Sequence, residues 1–364
     1  MSNKAKIICS IVAVLIMAGC LVGVDNFTSA SSMLRTILQL GAIYALVAVS
    51  MNLLNGFTGL FSLGQAGFMA IGAYTFGVLT IPVAKKANVY YLYGVADFLA
   101  DVELPTWLGI IIAGLFAALI AAIIGAPVLR LKSDYFAIAT LGFSEIVRIL
   151  LASSIFNKIT NGSLGLKSIP GFKSYYTPFI VVGVCILIIA LLIKSSYGRA
   201  FKAIREDEIA AEAMGINLSK HKQMAFIISS FFAGIGGALL AMYLGAVTAT
   251  TFPIMLTYNI LLIVVIGGIG SITGSIIASF LVIAAKEWWL RFLDTTLIIG
   301  GFQVPFVRTG FRMVVFSVIL MVVVLFWRRG IMGQNEFSWD AIYRWIKKLT
   351  SGKKTADEGG AANE

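Results

Sequence analysis

The chain has 364 residues, of which 59% are hydrophobic and only 12% are charged, and its mean hydropathy is +0.94. A soluble domain of this size carries about 25% charged residues, so the composition excludes an ordinary soluble protein. Because helices satisfy their own backbone in lipid, we expect an all-α, polytopic integral membrane protein. The net charge of +11 then fits cationic loops facing anionic membrane lipid, and we expect no nucleic-acid partner.

Cysteine and histidine usage argues against several kinds of site. Cys9, Cys20 and Cys185 all lie in apolar runs and are interpreted as small core residues, not as disulfides or metal ligands. His221 is the only histidine, so a histidine-based metal site or catalytic triad is nearly excluded. We therefore expect no metal, no cofactor and no catalytic residue in this chain.

The N-terminal stretch places Lys4 and Lys6 before an apolar run that ends near Val24, an arrangement that also resembles a signal peptide. The run is about 18 residues long and more apolar runs follow, so we interpret it as an uncleaved first transmembrane helix. We expect about ten spans, some of them short or broken at glycine-rich turns. The other nine are predicted at 33–54, 62–83, 107–129, 135–155, 176–193, 224–247, 253–268, 271–286 and 311–327.

The apolar stretch 253–286 is too long for one span of about 20 residues and is interrupted by the glycines of 267–270. We interpret those glycines as a tight turn on the inner side with close helix packing. Ten crossings that start inside place both termini and the segment 194–222, which holds six Lys and Arg residues, in the cytoplasm. This orientation satisfies the positive-inside rule.

Glycines are frequent from Asn55 to Gly67, and small residues then recur at helical spacing. This small face, which suits close packing between membrane helices, consists of Ala66, Ala70, Ala73 and Gly77. Gln65 and Tyr74 are polar side chains of the same stretch. We keep both as candidates for a translocation path, with a purely structural role as the alternative.

The stretch 129–148 carries ionisable residues into a predicted span. Ser133 or Asp134 can cap a helix that begins at Tyr135. Glu145 and Arg148 are three residues apart and close enough to pair. Because ionisable groups in a membrane face a bundle interior or water, the pair either fixes helix packing or lines the path. Two hydroxyl residues of this stretch, Thr140 and Ser144, are further candidates for the path.

The longest polar interruption before the C-terminal tail runs from Gly198 to Lys222. Asp207 can cap a short helix over 208–214, and Gly215 can end that helix with a positive φ angle. Alanines at 210, 211 and 213 leave a flat surface that another protein can approach closely. An ordinary basic cytoplasmic loop is the alternative interpretation.

Four segments in this order, within roughly residues 35–330, resemble the M-type permease subunit of branched-chain amino acid ATP-binding cassette importers: SLGQAGFMAIGAY, LRLKSDYFAIATLGFSEIVRIL, GRAFKAIREDEIAAEAMGIN and VVIGGIGSITGSIIASF. The resemblance implies import of leucine, isoleucine and valine across a bacterial cell membrane. It also implies a second homologous permease subunit, two ATPase subunits and an extracytoplasmic binding protein.

By the same resemblance, 198–222 is the coupling loop that docks onto the ATPase. The residues implied in this coupling are Gly198, Arg199, Arg205, Glu206, Asp207, Glu208, Ala210, Ala211 and Gly215. Ile209 takes the first position of the general Glu-Ala-Ala pattern of such loops, and the acidic residue stands one place earlier. This departure is typical of the subfamily.

The sequence contains no Gly-x-x-x-x-Gly-Lys-Ser/Thr loop, so we expect ATP hydrolysis on separate subunits and no enzymatic activity here. The same importer class also moves urea, short amides or other amino acids, and these substrates remain alternatives. A stand-alone secondary carrier or channel is a further alternative. Such a protein should show several acids or histidines inside the membrane, whereas this sequence offers Glu145 beside Arg148.

The predicted transmembrane permease domain covers 1–330. The segment 331–350 is predicted to form an amphipathic cytoplasmic helix on anionic lipid, with a docking surface for the ATPase as the alternative. Its apolar face consists of Trp339, Ile342, Tyr343, Ile346 and Leu349. Residues 351–364 are rich in Gly, Lys, Asp, Glu and Ala, and we expect a disordered tail.

Overall fold

The computed structural model describes residues 32–131 and 133–289, with short stretches at 19, 21–25, 298–299, 302–303, 314–315, 317–318, 321, 330–333 and 336. In chain order the helices are α1 Met33–Asn52, α2 Gln65–Thr80, α3 Val83–Val89, α4 Asp97–Ala100, α5 Thr106–Val128, α6 Ser133–Ala152, α7 Asn157–Thr160, α8 Thr177–Lys194, α9 Ser196–Glu206, α10 Glu208–Ala213, α11 Leu218–Leu244, α12 Ile254–Gly267 and α13 Ile272–Ala284. The strands β1 Ile298–Ile299 and β2 Phe302–Gln303 form a small antiparallel hairpin.

Shorter helical turns complete the described backbone. The π-helical turns Leu53–Phe57 and Ala285–Trp289 continue α1 and α13, and the 3-10 turns are Ser154–Phe156, Gly162–Leu164 and Ala249–Thr251. The predicted all-α, polytopic membrane fold is confirmed. The described residues include seven helices long and apolar enough to cross a membrane, or eight if the bent pair α2 and α3 forms one span.

The predicted total of about ten spans is not confirmed. The described helices match the second to the ninth predicted span, with shifted boundaries. The first predicted span and the tenth, at 311–327, lie mostly outside the described residues. The predicted cytoplasmic helix at 331–350 also lies mostly outside them, although 331–333 form a turn. The predicted tail at 351–364 lies wholly outside them.

Helix α2 lies at the centre of the bundle and is buried along almost its whole length. It has 16 residues, fewer than the predicted span at 62–83, because the chain bends by 119° at Ile81 and Pro82 into α3. A Cβ added at Gly72 would lie 2.1 Å from the Gly234 carbonyl oxygen of α11. The backbones of α2 and α11 are therefore in contact, as the small residues of this stretch predicted.

The position of this contact differs from the prediction. The predicted face of Ala66, Ala70, Ala73 and Gly77 is buried, but α11 approaches most closely at Gly72 and at Met69. A Cβ added at Gly237 of α11 would lie 2.0 Å from the Met69 carbonyl oxygen. Glycine on the opposite helix selects this line of contact, and the sequence of α2 alone does not contain that information.

Helices α12 and α13 are separated by the predicted tight turn, which we define as Gly267–Ser271. Gly268 and Gly270 have φ angles of +115° and +91°, which residues with a Cβ rarely adopt. A Cβ added at Gly267 would lie 2.6 Å from the backbone of Gly274, so the end of α12 is in close contact with the start of α13. This turn and its close packing are confirmed.

Candidate functional site

The short helix predicted after Asp207 is present as α10, which ends at Ala213, one residue earlier than predicted, whereas the preceding helix α9 was not predicted. Asp207 caps α10, because its Oδ1 accepts hydrogen bonds from the Ile209 and Ala210 amides at 2.9 and 3.1 Å. Gly215 follows the helix with a φ angle of +82°. The Ile216 amide then donates to the Ala211 carbonyl at 3.1 Å, which closes the C-terminal end. The helix is therefore fixed at both ends.

The surface of α10 and of the residue after it carries two large apolar side chains whose exposure the sequence analysis did not predict. Ile209 is 82% exposed and Met214, just after the helix, is 83% exposed. Ala211 is buried and faces the bundle, whereas Ala210 and Ala213 are exposed. Two large apolar residues beside the alanines of the predicted short helix were the available signal. They are typical of a surface that another protein covers.

Helix α9 holds α10 against the bundle. Phe201 and Ile204 are buried, and Gly198 touches the end of α8, since an added Cβ would lie 2.1 Å from the Ile193 carbonyl oxygen. The Lys222 ammonium of α11 also pairs with Glu208 at the start of α10. These contacts place α10 on a fixed support.

The residues predicted for coupling fall into two groups. Those exposed at this end of the bundle are Arg199, Glu206, Asp207, Glu208, Ala210 and Gly215. Arg205 instead points toward the bundle, where its Nη1 donates to the Gly56 carbonyl at 3.0 Å. Its Nε also donates to Glu206 at 3.0 Å. Gly198 and Ala211 are buried, whereas Arg205 is half-buried.

Gln65, Thr140 and Ser144, three candidates for the path, lie in contacts between helices. The Gln65 amide donates to Ser50 and Ser229 hydroxyls at 3.1 and 3.2 Å, which joins α1, α2 and α11. The Thr140 hydroxyl accepts from the Leu63 amide at 3.0 Å. Ser144 is buried against Gly67 of α2. These contacts favour structural roles in this conformation.

Tyr74 lines a cavity of about 610 Å³ between α2, α5 and α6. Its side chain is buried, and its hydroxyl has no hydrogen-bond partner among the described residues. The other walls are almost entirely apolar, with Thr75 and Thr160 as exceptions. The described residues that line the cavity therefore offer no charged group for the ammonium or carboxylate of an amino acid, which disfavours Tyr74 as a residue that binds them here.

Glu145 and Arg148 pair on α6, as predicted. The Arg148 Nε donates to both carboxylate oxygens of Glu145 at 2.9 and 3.0 Å, and Nη2 adds a further contact. Their side chains are 29% and 31% exposed, beside the buried face formed by Phe136, Thr140, Ser144 and Val147. The helix starts at Ser133, two residues before the predicted start, so Asp134 lies in its first turn.

Among the residues that the structure describes, no three His, Cys, Asp or Glu side chains are placed to hold a metal ion. The geometry instead defines a polytopic helical membrane protein with a short, exposed helix, capped at both ends, at one end of its bundle. The family described as branched-chain amino acid transport system / permease component matches residues 33–337. The chain belongs to this family.

Curated relatives agree with this assignment. The chain is 35% identical over 303 residues to the high-affinity branched-chain amino acid transport system permease protein LivM of Escherichia coli K12, covering 74% of this chain and 66% of the relative. It is 34% identical to LivM of Salmonella typhimurium, covering 72% and 65%. The chain thus spans just under two thirds of the length of these two relatives.

A second type of permease is also similar. The permease protein LivH of Salmonella typhimurium is 24% identical over 310 residues, which cover 82% of this chain and 93% of LivH. No solved structure matches the chain.

Proposed function

We propose that this chain is the M-type permease subunit of an ATP-binding cassette importer that moves leucine, isoleucine and valine across a bacterial cell membrane. It acts with a second homologous permease subunit, two ATPase subunits and an extracytoplasmic binding protein. The names of its relatives support the substrate and the pairing of two permease types. The observation that carries the proposal is α10, a capped helix with exposed apolar side chains in a member of a permease family.

Helix α10 suits docking of an ATPase because it is rigid and partly apolar. The Asp207 cap and the Gly215 turn preserve its shape, while Ile209 and Met214 offer apolar surface that a partner can bury. The fully buried centre of a protein interface is more apolar than its rim, and Met is enriched in interfaces. A rigid element can transmit a displacement from a partner to the bundle, which a flexible loop cannot.

We place α10 in the cytoplasm. It lies at the same end of the bundle as the turn Gly267–Ser271, since Arg205 contacts Gly270. Residues 331 and 332 also lie there, because their amides donate to the carbonyls of residues 266 and 267. The basic residues of 194–222 make this end the cytoplasmic one under the positive-inside rule.

For the translocation path, we retain Glu145 and Arg148. An ion pair that is about 30% exposed in one chain cannot face lipid hydrocarbon without cost, so protein or water covers it in the membrane. The second permease subunit can cover the pair with protein and can enclose water between the two subunits. We propose that this face of α6 borders the path between the two permease subunits.

Copurification tests the docking of α10. The importer is expressed with all its subunits, and the permease pair is isolated with Ile209→Glu or Met214→Glu in this chain. Each change places a charge in the proposed apolar contact, so we expect at least a tenfold loss of bound ATPase, or about 1.4 kcal/mol of binding energy. The matched control is Tyr91→Glu. Tyr91 is also a large exposed side chain, 71% exposed, but it lies in the loop after α3 and outside α10.

Unchanged ATPase binding in both variants would refute docking through α10, and an equal loss with Tyr91→Glu would indicate a general defect. Substrate choice needs a separate measurement. In vesicles that contain every subunit, we expect valine and isoleucine to compete with labelled leucine for uptake, while urea does not. If urea competes with leucine and valine does not, the importer belongs with those that move urea and short amides.

A further inference from the structure

The turn Gly267–Ser271 is attached to α1 by one buried side chain. Asn52, the last residue of α1, is fully buried, and both polar atoms of its amide are bonded. Its Nδ2 donates to the Ser271 carbonyl at 2.9 Å and to the Ser275 hydroxyl at 2.8 Å, and its Oδ1 accepts from the Gly270 amide at 2.8 Å. Loss of this side chain would leave several buried groups without partners.

Arg205 reaches the same turn from the docking side. Its Nη1 donates to the carbonyl of Gly56, which lies in the π-helical turn that follows Asn52. A Cβ added at Gly56 would lie 2.5 Å from the Gly270 nitrogen, and one added at Gly270 would lie 3.0 Å from Arg205 Nη1. The guanidinium and the two glycines therefore touch, with no room for side chains between them.

Glu336, near the C-terminal end of the region that the family matches, bonds to the start of α13. The Glu336 carboxylate accepts hydrogen bonds from the amides of Ile272 and Thr273 at 2.7 and 3.2 Å. These are the first two residues of α13, so the carboxylate stabilises the positive end of that helix. The turn is attached to the same end of α13, because the Ser271 hydroxyl accepts a hydrogen bond from the Gly274 amide at 3.1 Å.

Arg205 lies two residues before Asp207, the cap of α10, and its Nε donates to the carboxylate of the intervening Glu206, so it lies directly beside the start of that helix. We propose that Arg205 and Asn52 are positioning residues of one relay, which passes a displacement of α10 through Gly56 to the turn Gly267–Ser271. The relay thereby changes how α1 packs against α13. The π-helical geometry at Gly56 fits this role, because such turns are frequent at functional sites.

This inference rests on the proposed function, since it takes α10 as the docking site of the ATPase. The test uses the complete importer in lipid vesicles and measures labelled leucine imported per ATP hydrolysed. The variants are Asn52→Ala, Arg205→Ala and the two combined. The matched control is Ser279→Ala, which removes another buried hydrogen bond between α13 and α1, from the Ser279 hydroxyl to the Gly41 carbonyl at 3.1 Å.

We expect both single variants to keep bound ATPase and to hydrolyse ATP, while leucine imported per ATP falls about tenfold, within the range that coupling residues show. The combined variant should fall no further, because the two residues act in series. Ser279→Ala should leave the ratio unchanged. Unchanged ratios in both single variants, multiplied losses in the combined variant, or an equal loss with Ser279→Ala would each overturn the relay.

A second measurement needs no partner and separates this inference from the proposed function. Amide hydrogen exchange at Gly270 is followed in the purified chain. We expect Arg205→Ala to accelerate it about tenfold, although Arg205 does not bond that amide, and Ser279→Ala to leave it unchanged. No acceleration with Arg205→Ala would overturn the relay. If the wild-type chain binds no ATPase, the proposed function fails, but this exchange result still decides whether Arg205 is linked to the turn.

Discussion

Gly72→Ala tests whether the backbone contact between α2 and α11 holds the bundle together. The added Cβ would lie 2.1 Å from the Gly234 carbonyl oxygen and 2.5 Å from its Cα. Ordinary contact begins near 3.4 Å, so the atoms must separate by about 1.3 Å. The neighbours in the clash are backbone atoms, which cannot rotate away, so the helices themselves must shift.

Overpacking of this kind costs about 1–3 kcal/mol, and the shift also loosens dispersion contacts along both helices. We expect Gly72→Ala to lower the free energy of unfolding by at least that range. The matched control is Gly142→Ala in α6, where an added Cβ meets no atom of the described residues within 4 Å. Alanine is the better helix former by about 1 kcal/mol, so Gly142→Ala should be neutral or slightly stabilising.

Thermal exposure of the buried Cys185 thiol provides the assay. The purified chain carries Cys9→Ser and Cys20→Ser, and a thiol-reactive dye reports unfolding as temperature rises. A lower midpoint for Gly72→Ala and an unchanged or higher midpoint for Gly142→Ala are expected. Equal midpoints for the two variants would refute the close approach of α2 and α11.

Three further predictions concern single side chains. Burial raises the pKa of Tyr90 in the folded protein to about 12, so Tyr90 ionises at a lower pH in the unfolded protein. The free energy of unfolding should therefore fall by about 2–3 kcal/mol between pH 10 and 12. Unfolding measurements on Tyr90→Phe across this pH range should lack that loss. Asp207→Ala should cost about 1 kcal/mol locally and speed amide exchange at Ile209, while Asp207→Asn, which can still cap, should largely restore protection. Glu145→Gln should reduce leucine uptake in vesicles while the subunits still copurify; lost assembly would instead indicate a packing role for the pair.

The local features were predictable because their physics lies within a few residues. Asp207 and Gly215 carry a cap and a left-handed turn in their own chemistry, and both predictions are confirmed. The break at 267–270 was equally predictable, because a span has a limited length and glycine tolerates positive φ angles. The pairing of Glu145 with Arg148 followed from helical spacing alone.

Features that join distant parts of the chain were not predictable in the same way. Gln65 was a candidate for the path because it is polar, but its partners Ser50 and Ser229 come from two other helices and tie its amide into packing. Nothing in the sequence near Asn52 indicates that it meets Gly270, 218 positions later. Polarity in an apolar span shows that a partner must exist, since an unpaired amide is costly there, but only the fold identifies the partner.

Arg205 differs from its neighbours in the candidate site because its side chain points into the bundle and theirs point outward. Glu206, Asp207 and Glu208 face outward, so a docked ATPase can contact them directly. Arg205 faces Gly56, so the role that we propose for it acts through contacts within this chain. Substitution of the exposed residues should therefore act on ATPase binding, whereas substitution of Arg205 should act on the work done per ATP. A sequence motif treats these residues as one group, but the orientation of their side chains separates the proposed docking residues from the proposed positioning residue.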